Sequence, residues 1–568
     1  MRKKTHGLFL WAAMVAAFLS PLFPQARTVG LFQNDPGACP GYTLFCPMNS
    51  VTTYLIDNEG RLINSWQSDV LPGSAVYLLE NGHLLHTGAI GNTRFTGADM
   101  GGRIQEYDWE GNLVWFYEYS GMGYYQHHDA IKLPNGNVVM VAWEYKTADQ
   151  ALSAGRNPSL LGAGNLWPDH LAEVKPQGLF GGEIVWEWHA WDHLIQNYDS
   201  SRANYGSPAG HPELINLNFI GPPANAMSAD WLHVNSVAYN PEFDQLMLSV
   251  HSINEIWVID HSTTLSEAAG HTGGKYGKGG DLLYRWGNAR TYGAGVMADR
   301  KLHQQHCASW VPGGSPGAGH ILIFNNGVGR PEGQYSSVDE IVPPADSLGN
   351  YARAAGSAFG PPAPAWSYTA PVPADFFASY ISGAQRLPNG NTLICDGPHG
   401  IFFEVTPAKQ TVWKYVNPVA DNRALEFNEP IPGLSIRQEN FVFRAYRYAI
   451  DFPGFSGKNM TPGDYIEKYP SGLAAGGSAL PAGFGLLPIR PNPCNRFIVI
   501  PFVLTEQQEV TIQVFNTRGQ EVARPADKVF PGGSHAVTLD GSPLRSGVYL
   551  CRLRAAGRTA EKPLAVVK

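Results

Sequence analysis

Four of the 18 histidines in this 568-residue chain stand where their side chains can act together. His128 in YYQHHDAIKL, His233 in DWLHVNSVAY and His306 in LHQQHCASWV each stand at the start of, or just before, a run of alternating apolar residues, and His251 closes the run that His233 opens. Neutral imidazole suits two kinds of chemistry. It ligates Zn or Cu, and it serves as a nucleophile or hydrogen-bond donor when an anionic group is transferred. None of the four has a His-x-His or His-x-x-x-His partner, and the flanking groups are amides and hydroxyls: Gln126, Asn235, Ser236 and Gln305. That context favours group transfer. Asn235, Gln305, Arg330 and Trp231 are the candidate substrate contacts, with Tyr124, Tyr125 and Trp310 as further rings that a flat substrate could stack on. His261, His271 and His320 sit among turn residues and call for no special role.

The elements that must position these side chains form a weak internal repeat. AIKLPNGNVVMVAW (130–143) recurs as AQRLPNGNTLICDG (384–397), and more loosely as VYLLENGHLLHTG (76–88). Asn-Gly between two alternating apolar runs is a strong hairpin signal, because both turn positions tolerate positive φ. A second kind of hairpin ends on an aromatic, at Trp66, Trp115, Trp188, Trp286, Trp366 and Trp413. Six copies of a two-hairpin unit predict a six-bladed β-propeller, in which radial repetition protects the sheet edges. Innermost strands then run along a central channel, so equivalent strand ends far apart in sequence converge on one end of it. The chain starts on an outer hairpin at residue 54. The missing inner strands of that blade are expected from FVFRAYRYAIDF (441–452), which would close the ring with both ends of the domain.

Composition agrees. The chain has 63 Gly, 43 Pro and 15 Trp, and only 15% charged residues where about 25% is usual. This excludes coiled coils and disorder and predicts an all-β chain. Net charge is −8 with no basic run after residue 4, so no nucleic-acid footprint exists. Arg2, Lys3 and Lys4 before the apolar stretch 7–23 predict a signal peptide over 1–26, with no stable membrane span after its cleavage. A propeller over 27–455, a Gly/Ser/Pro-rich linker over 456–485 and a small Ig-like β-sandwich over 486–568 complete the expected organisation. In an oxidising compartment Cys39 and Cys46 are close enough in sequence to bridge a loop, whereas Cys307 and Cys395 read as small buried hydrophobes.

The segments GYTLFCPMNSVTTYLIDNEGRLINSW (41–66), HHDAIKLPNGN (127–137), DWLHVNSVAYNPEFDQLMLSVHSINEIWVID (230–260), QHCASW with HILIFNNGVGR (305–330) and FRAYRYAIDFPGF (443–455) resemble the bacterial arylsulfate sulfotransferases. The resemblance implies a six-bladed propeller that moves a sulfuryl group from a phenolic sulfate ester to a phenol acceptor, without a nucleotide cofactor, through a sulfohistidine. It implies His306 as the residue that is sulfated, with His128 and His233 holding the sulfuryl oxygens and assisting the leaving phenol. The family's fourth residue is an arginine where this chain has His251. Either His251 works protonated, or another arginine such as Arg330 or Arg386 reaches in, or the reaction is altered. A non-catalytic propeller binding sulfated or aromatic ligands, and a metal enzyme using the same histidines, are the competing readings. The C-terminal stretch, with NPCN, NTRGQEV, SGVY and a closing VVK, is similar to the sorting domain of type IX secretion substrates, with Cys494 where Phe is usual. That implies the type IX machinery as a partner and export through the periplasm to the cell surface or the medium.

Overall fold

The computed structural model describes residues 27–96, 101–221, 228–434, 437–469 and most of 484–568. The signal-peptide stretch 1–26 and residues 470–483 of the expected linker lie outside the described residues.

Six blades of four antiparallel strands form the propeller, and a parallel bridge between Ser74 and His128 joins blades two and three into one sheet. Blade two comprises Pro72–Leu78, Leu84–Ala89, Gly102–Tyr107 and Leu113–Glu118, and blade three Tyr124–Lys132, Val138–Glu144, Asp169–Pro176 and Gly182–His189. Blade four runs from Val234–Asn240 through Gln245–Val250 and Glu255–Asp260 to Tyr284–Trp286, and blade five from His306–Trp310 to Trp366–Tyr368. Blade six runs from Gly383–Arg386 to Thr411–Val416. In blade one the innermost strand is Val442–Ala449, paired antiparallel with Gly41–Pro47, and Thr52–Ile56 and Leu62–Gln67 follow outward. Closure therefore uses one strand from the C-terminal side, and the second strand comes from 41–47 rather than from 441–452. A further strand, Gly30–Asn34, adds to the outside of blade six.

The six tryptophans mark the fourth strand of each blade, and each indole N–H donates to a backbone carbonyl of the next blade. Trp66 reaches Asp108 at 2.8 Å, Trp115 Gly181 at 2.9 Å, Trp188 Gly280 at 2.7 Å and Trp286 Pro361 at 2.8 Å. Trp366 reaches Pro407 at 3.0 Å, and Trp413 closes the circle on Asn58 at 2.8 Å. An indole that satisfies its N–H thus stitches every blade interface, buried at five of them and half-buried at Trp366.

The inner hairpins turn differently from the sequence expectation. Gly82, Gly136 and Gly390 have φ between +82° and +89°, while Asn81, Asn135 and Asn389 keep negative φ. Each is a wider turn closed by a left-handed glycine, so only the second residue of Asn-Gly needs the freedom that glycine has.

Residues 456–469, read above as the start of the linker, lie against the propeller. Gly463 donates to the Leu62 carbonyl at 2.7 Å and Lys468 to that of Leu425 at 2.8 Å, and Glu467 is buried. The C-terminal unit has a sheet of Gly485–Leu486, Phe497–Leu504 and Gly533–Asp540, and another of Glu521–Phe530, Gln508–Phe515, Gly547–Ala555 and Arg558–Val566. Ile498, Ile500, Phe502, Ile512, Leu553 and Leu564 share one core between them, which makes a β-sandwich.

Candidate active site

The innermost strands carry the site because they are bulged where they begin. Register breaks occur between Pro72 and Val76, between Val234 and Ser236, between His306 and Ala308, and opposite Met140–Ala142 and Phe45–Pro47. Bulges re-aim side chains. His128 and Cys307 lie within these breaks and His233 immediately before one, with φ of +54°, +51° and +55°, a conformation costing about 1–2 kcal/mol for a residue with a Cβ. Such strain persists where the surrounding structure demands it, commonly at functional sites.

The four histidines meet. Ring centroids are 4.7 Å apart for His128 and His233, 4.9 Å for His233 and His251, and 5.1 Å for His251 and His306. Three of them are held from behind, while His251 Nδ1 is buried without a partner among the described residues. His306 Nδ1 lies 2.8 Å from Asn326 Oδ1, and the Asn326 amide group donates to the carbonyls of Ala378 and Ile381 at 2.8 and 3.0 Å. Those two carbonyls assign the amide orientation, so the oxygen faces His306, Nδ1 carries the proton and Nε2 the lone pair. His233 Nδ1 bonds to Asp230, whose other oxygen accepts from the Trp143 indole at 3.0 Å. His128 Nδ1 faces His127 Nδ1 at 2.6 Å, and His127 stacks on Trp143 with Nε2 3.0 Å from Asp169.

Burial sets the protonation. It holds His306 down to about 3, against a weaker upward pull from the Asn326 hydrogen bond. It pushes His128 and His251 well below the ordinary imidazole range, with neighbouring imidazoles adding to the effect. Three of the four are therefore neutral around pH 7, which answers one question raised by the sequence: His251 does not act as a cation in the free protein.

Arg444 sits on the propeller axis beneath them. It occupies the bulge of the blade-one strand and reaches three other blades: Asp129 at 2.9 Å, the Tyr77 hydroxyl at 3.2 Å and the Asn235 carbonyl at 2.6 Å. Burial is the largest single influence and opposes its charge, but Asp129 together with Cys307, Tyr446 and Tyr77 outweighs it and raises the pKa well above the usual range. The charge is already balanced.

The remaining expected contacts divide. Trp231 lines a cavity of about 230 Å³ together with His233, His251, Arg156, Ser252 and Gln304. Asn235 is buried and donates to the Gln305 carbonyl at 2.8 Å, with its amide oxygen unpartnered. Gln305 turns its amide into blade four, toward the Glu255 carbonyl at 2.8 Å, instead of facing the histidines. Arg330 is spent on the Tyr335 carbonyl and Ser337, and Arg386 on Glu340, so neither reaches the four rings. Tyr125 packs with Phe95 and Trp143, and Trp310 against the core between blades four and five. Tyr124 is at the surface. The Cys39–Cys46 bridge is not formed: both thiols are free, because Cys39 packs in the core around Trp413 and Cys46 in that around Trp66. Cys307 and Cys395 are buried as expected. Among the described residues, the group with metal-ligand spacing is His193, His271 and Asp281, not the channel histidines.

Asp230, Asn326, Asp129 and Arg444 were overlooked, although DW-x-H, IFNNG, HHD and FRAYRY all contain them. Their signal was proximity to the histidine motifs. Arg156 had none.

Buried side chains thus orient three of the four imidazoles: Asn326 holds His306, Asp230 holds His233, and His127, itself on Asp169, holds His128. The family model for arylsulfotransferase (ASST) matches residues 44–429, and the chain belongs to that family. The model for the secretion system C-terminal sorting domain matches residues 488–567 and implies export by the type IX route. No match is found among curated proteins. Solved structures that resemble the chain include a protein of unknown function from Bacteroides caccae, 10% identical, covering 72% of this chain and 98% of its own, with a TM-score of 0.37. Virginiamycin B lyase from Staphylococcus aureus is 8% identical, covers 70% and 90%, and has a TM-score of 0.30. The fold assignment rests on the sheet order instead. Among the described residues no helix is long and apolar enough to cross a membrane.

Proposed function

We propose that the protein is an exported arylsulfotransferase working by a ping-pong sulfohistidine mechanism, with a phenolic sulfate as donor and a phenol as acceptor. The observation that carries this reading is the meeting of four imidazoles, one of which, His306, has its Nδ1 proton directed to the Asn326 oxygen. The Nε2 lone pair of His306 attacks sulfur in line. The N–S bond forms as the S–O bond to the aryl group breaks, and the electron pair leaves on the phenolate oxygen. His233, whose imidazolium form is stabilised by Asp230, gives the phenolate its proton. The Asn326 oxygen offsets the charge that develops on the sulfated ring. An acceptor phenol then returns its proton to His233 and attacks sulfur, which breaks the N–S bond and restores His306. N–H donors preorganised around the sulfuryl oxygens, His128 and His251 among them, lower the barrier in a dry site.

Purified protein given p-nitrophenyl sulfate and phenol should release p-nitrophenol and form phenyl sulfate, and His306→Ala should abolish both. Transfer that persists in His306→Ala would refute the sulfohistidine. The sorting domain supports passage through the periplasm, with surface attachment or release after its removal; fractionation of cells expressing the full chain tests that route.

A further inference from the structure

The site as described has no free positive charge for an anionic substrate. His128, His251 and His306 are neutral, the His233–Asp230 pair is at most neutral overall, and Arg444 is balanced by Asp129. One cation remains. Arg156 is 2% exposed and lines the cavity with His233, His251, Trp231, Ser252 and Gln304. Its guanidinium donates to the carbonyls of Leu217 and of Leu160, the latter at 3.1 Å, and lies over the Trp231 ring at 5.5 Å. Among the described residues it has no carboxylate within ion-pair distance, and its Nε is buried without a partner. The carboxylate that shares the cavity, Asp230, is engaged by His233 and the Trp143 indole.

A buried cation without a counter-ion is costly, and a ligand anion in the same cavity removes the cost. We propose that Arg156 is the anion-binding residue of this enzyme, holding the sulfate group of an aryl sulfate while Trp231 flanks its ring and the sulfur is delivered to the histidines. Burial lowers the pKa of Arg156 to about 10, so the charge persists at working pH. A guanidinium fork also matches the geometry of tetrahedral oxyanions. The inference rests on the arylsulfotransferase reading for the identity of the anion, and its location comes from the cavity alone.

The test is titration calorimetry of the full chain with p-toluenesulfonate, an aryl SO₃⁻ anion that cannot be transferred, and with p-cresol as the uncharged control. Arg156→Gln should weaken sulfonate binding roughly 10- to 100-fold, the range of a charged hydrogen bond, and leave p-cresol binding unchanged. Arg156→Lys, which keeps the charge without the fork, should fall between the two and serves if the Gln variant does not fold. Sulfonate binding equal to wild type in either folded variant would overturn the proposal, and so would an equal loss for p-cresol, which marks a merely structural role. Because the ligand is inert, the result does not depend on whether His306→Ala retains transfer.

Discussion

At the residue scale, a single hydrogen bond decides how His306 reacts. The Asn326 oxygen fixes the tautomer, and burial keeps the ring neutral with a pKa of about 3. The limb that His306 contributes to the transfer rate should therefore lie near pH 3 and not near pH 6.5. Asn326→Asp places a carboxylate against Nδ1, which favours imidazolium and raises the pKa. The acid limb of kcat/KM should then move upward in pH by one unit or more, about 1.4 kcal/mol per unit; an unmoved profile would show that His306 is not the group whose neutral form is required. The histidines were legible because the same strand start recurred in successive repeats. Their partners were legible as neighbours only. That Asn326 faces His306 depends on two carbonyls more than fifty positions downstream, in the loop before blade six, and no local pattern announces such a contact. Arg156 was hidden for the same reason: it follows a short helix, Ala148–Ser153, inserted within blade three, and meets His251 only through the fold.

At the element scale, the blades are joined by buried polar links as well as by apolar cores. His261, which follows the third strand of blade four, bridges Asp244 of its own blade at 2.8 Å and Glu173 of blade three at 2.9 Å. Burial alone would lower its pKa, but the two carboxylates outweigh that and raise it to about 9. The folded state thus binds the proton more tightly than the unfolded chain, whose histidine titrates near 6.5. The link contributes fully below pH 6.5 and is lost as pH rises through about 9, which for a shift of this size is roughly 3 kcal/mol. Chemical denaturation at pH 6 and at pH 9.5 should show that loss in wild type and a much flatter dependence in His261→Gln. Equal slopes in both proteins would rule the bridge out as a pH-dependent link. The sequence placed His261 among turn residues, and that was right as far as position goes. Hairpins were readable from Asn-Gly and alternation, whereas the left-handed backbone at His128 and His233 left no trace, since a left-handed histidine looks like any other histidine in the sequence.

For the whole molecule, ring closure is the step on which the site depends, because the axial histidines belong to blades three, four and five while Arg444 beneath them comes from the last strand of the propeller. Six tryptophans were visible as markers of a two-hairpin repeat, and the number of copies predicted the blade number. The mixed origin of blade one was only half visible, because the strand 41–47 turns into 52–56 through 48–51, without the Asn-Gly that marks the inner hairpins. The closing interface is stitched by Trp413, fully buried, whose indole donates to Asn58 across the seam, while Arg447 of the blade-one innermost strand stacks on its ring at 4.4 Å and lies 3.4 Å from Glu404 of blade six. Trp413→Phe keeps most of the buried ring and removes one N–H, so the Asn58 carbonyl loses its partner at a cost of about 1–3 kcal/mol. Thermal unfolding of the propeller should begin a few degrees lower. The transfer rate at 25 °C should stay within about twofold of wild type, because Trp413 lies on the fourth strand of its blade and touches none of the four histidines. A variant as stable as wild type would mean that Gly30–Asn34 and the 456–469 tail, which also span the two ends of the domain, already hold the seam without the indole.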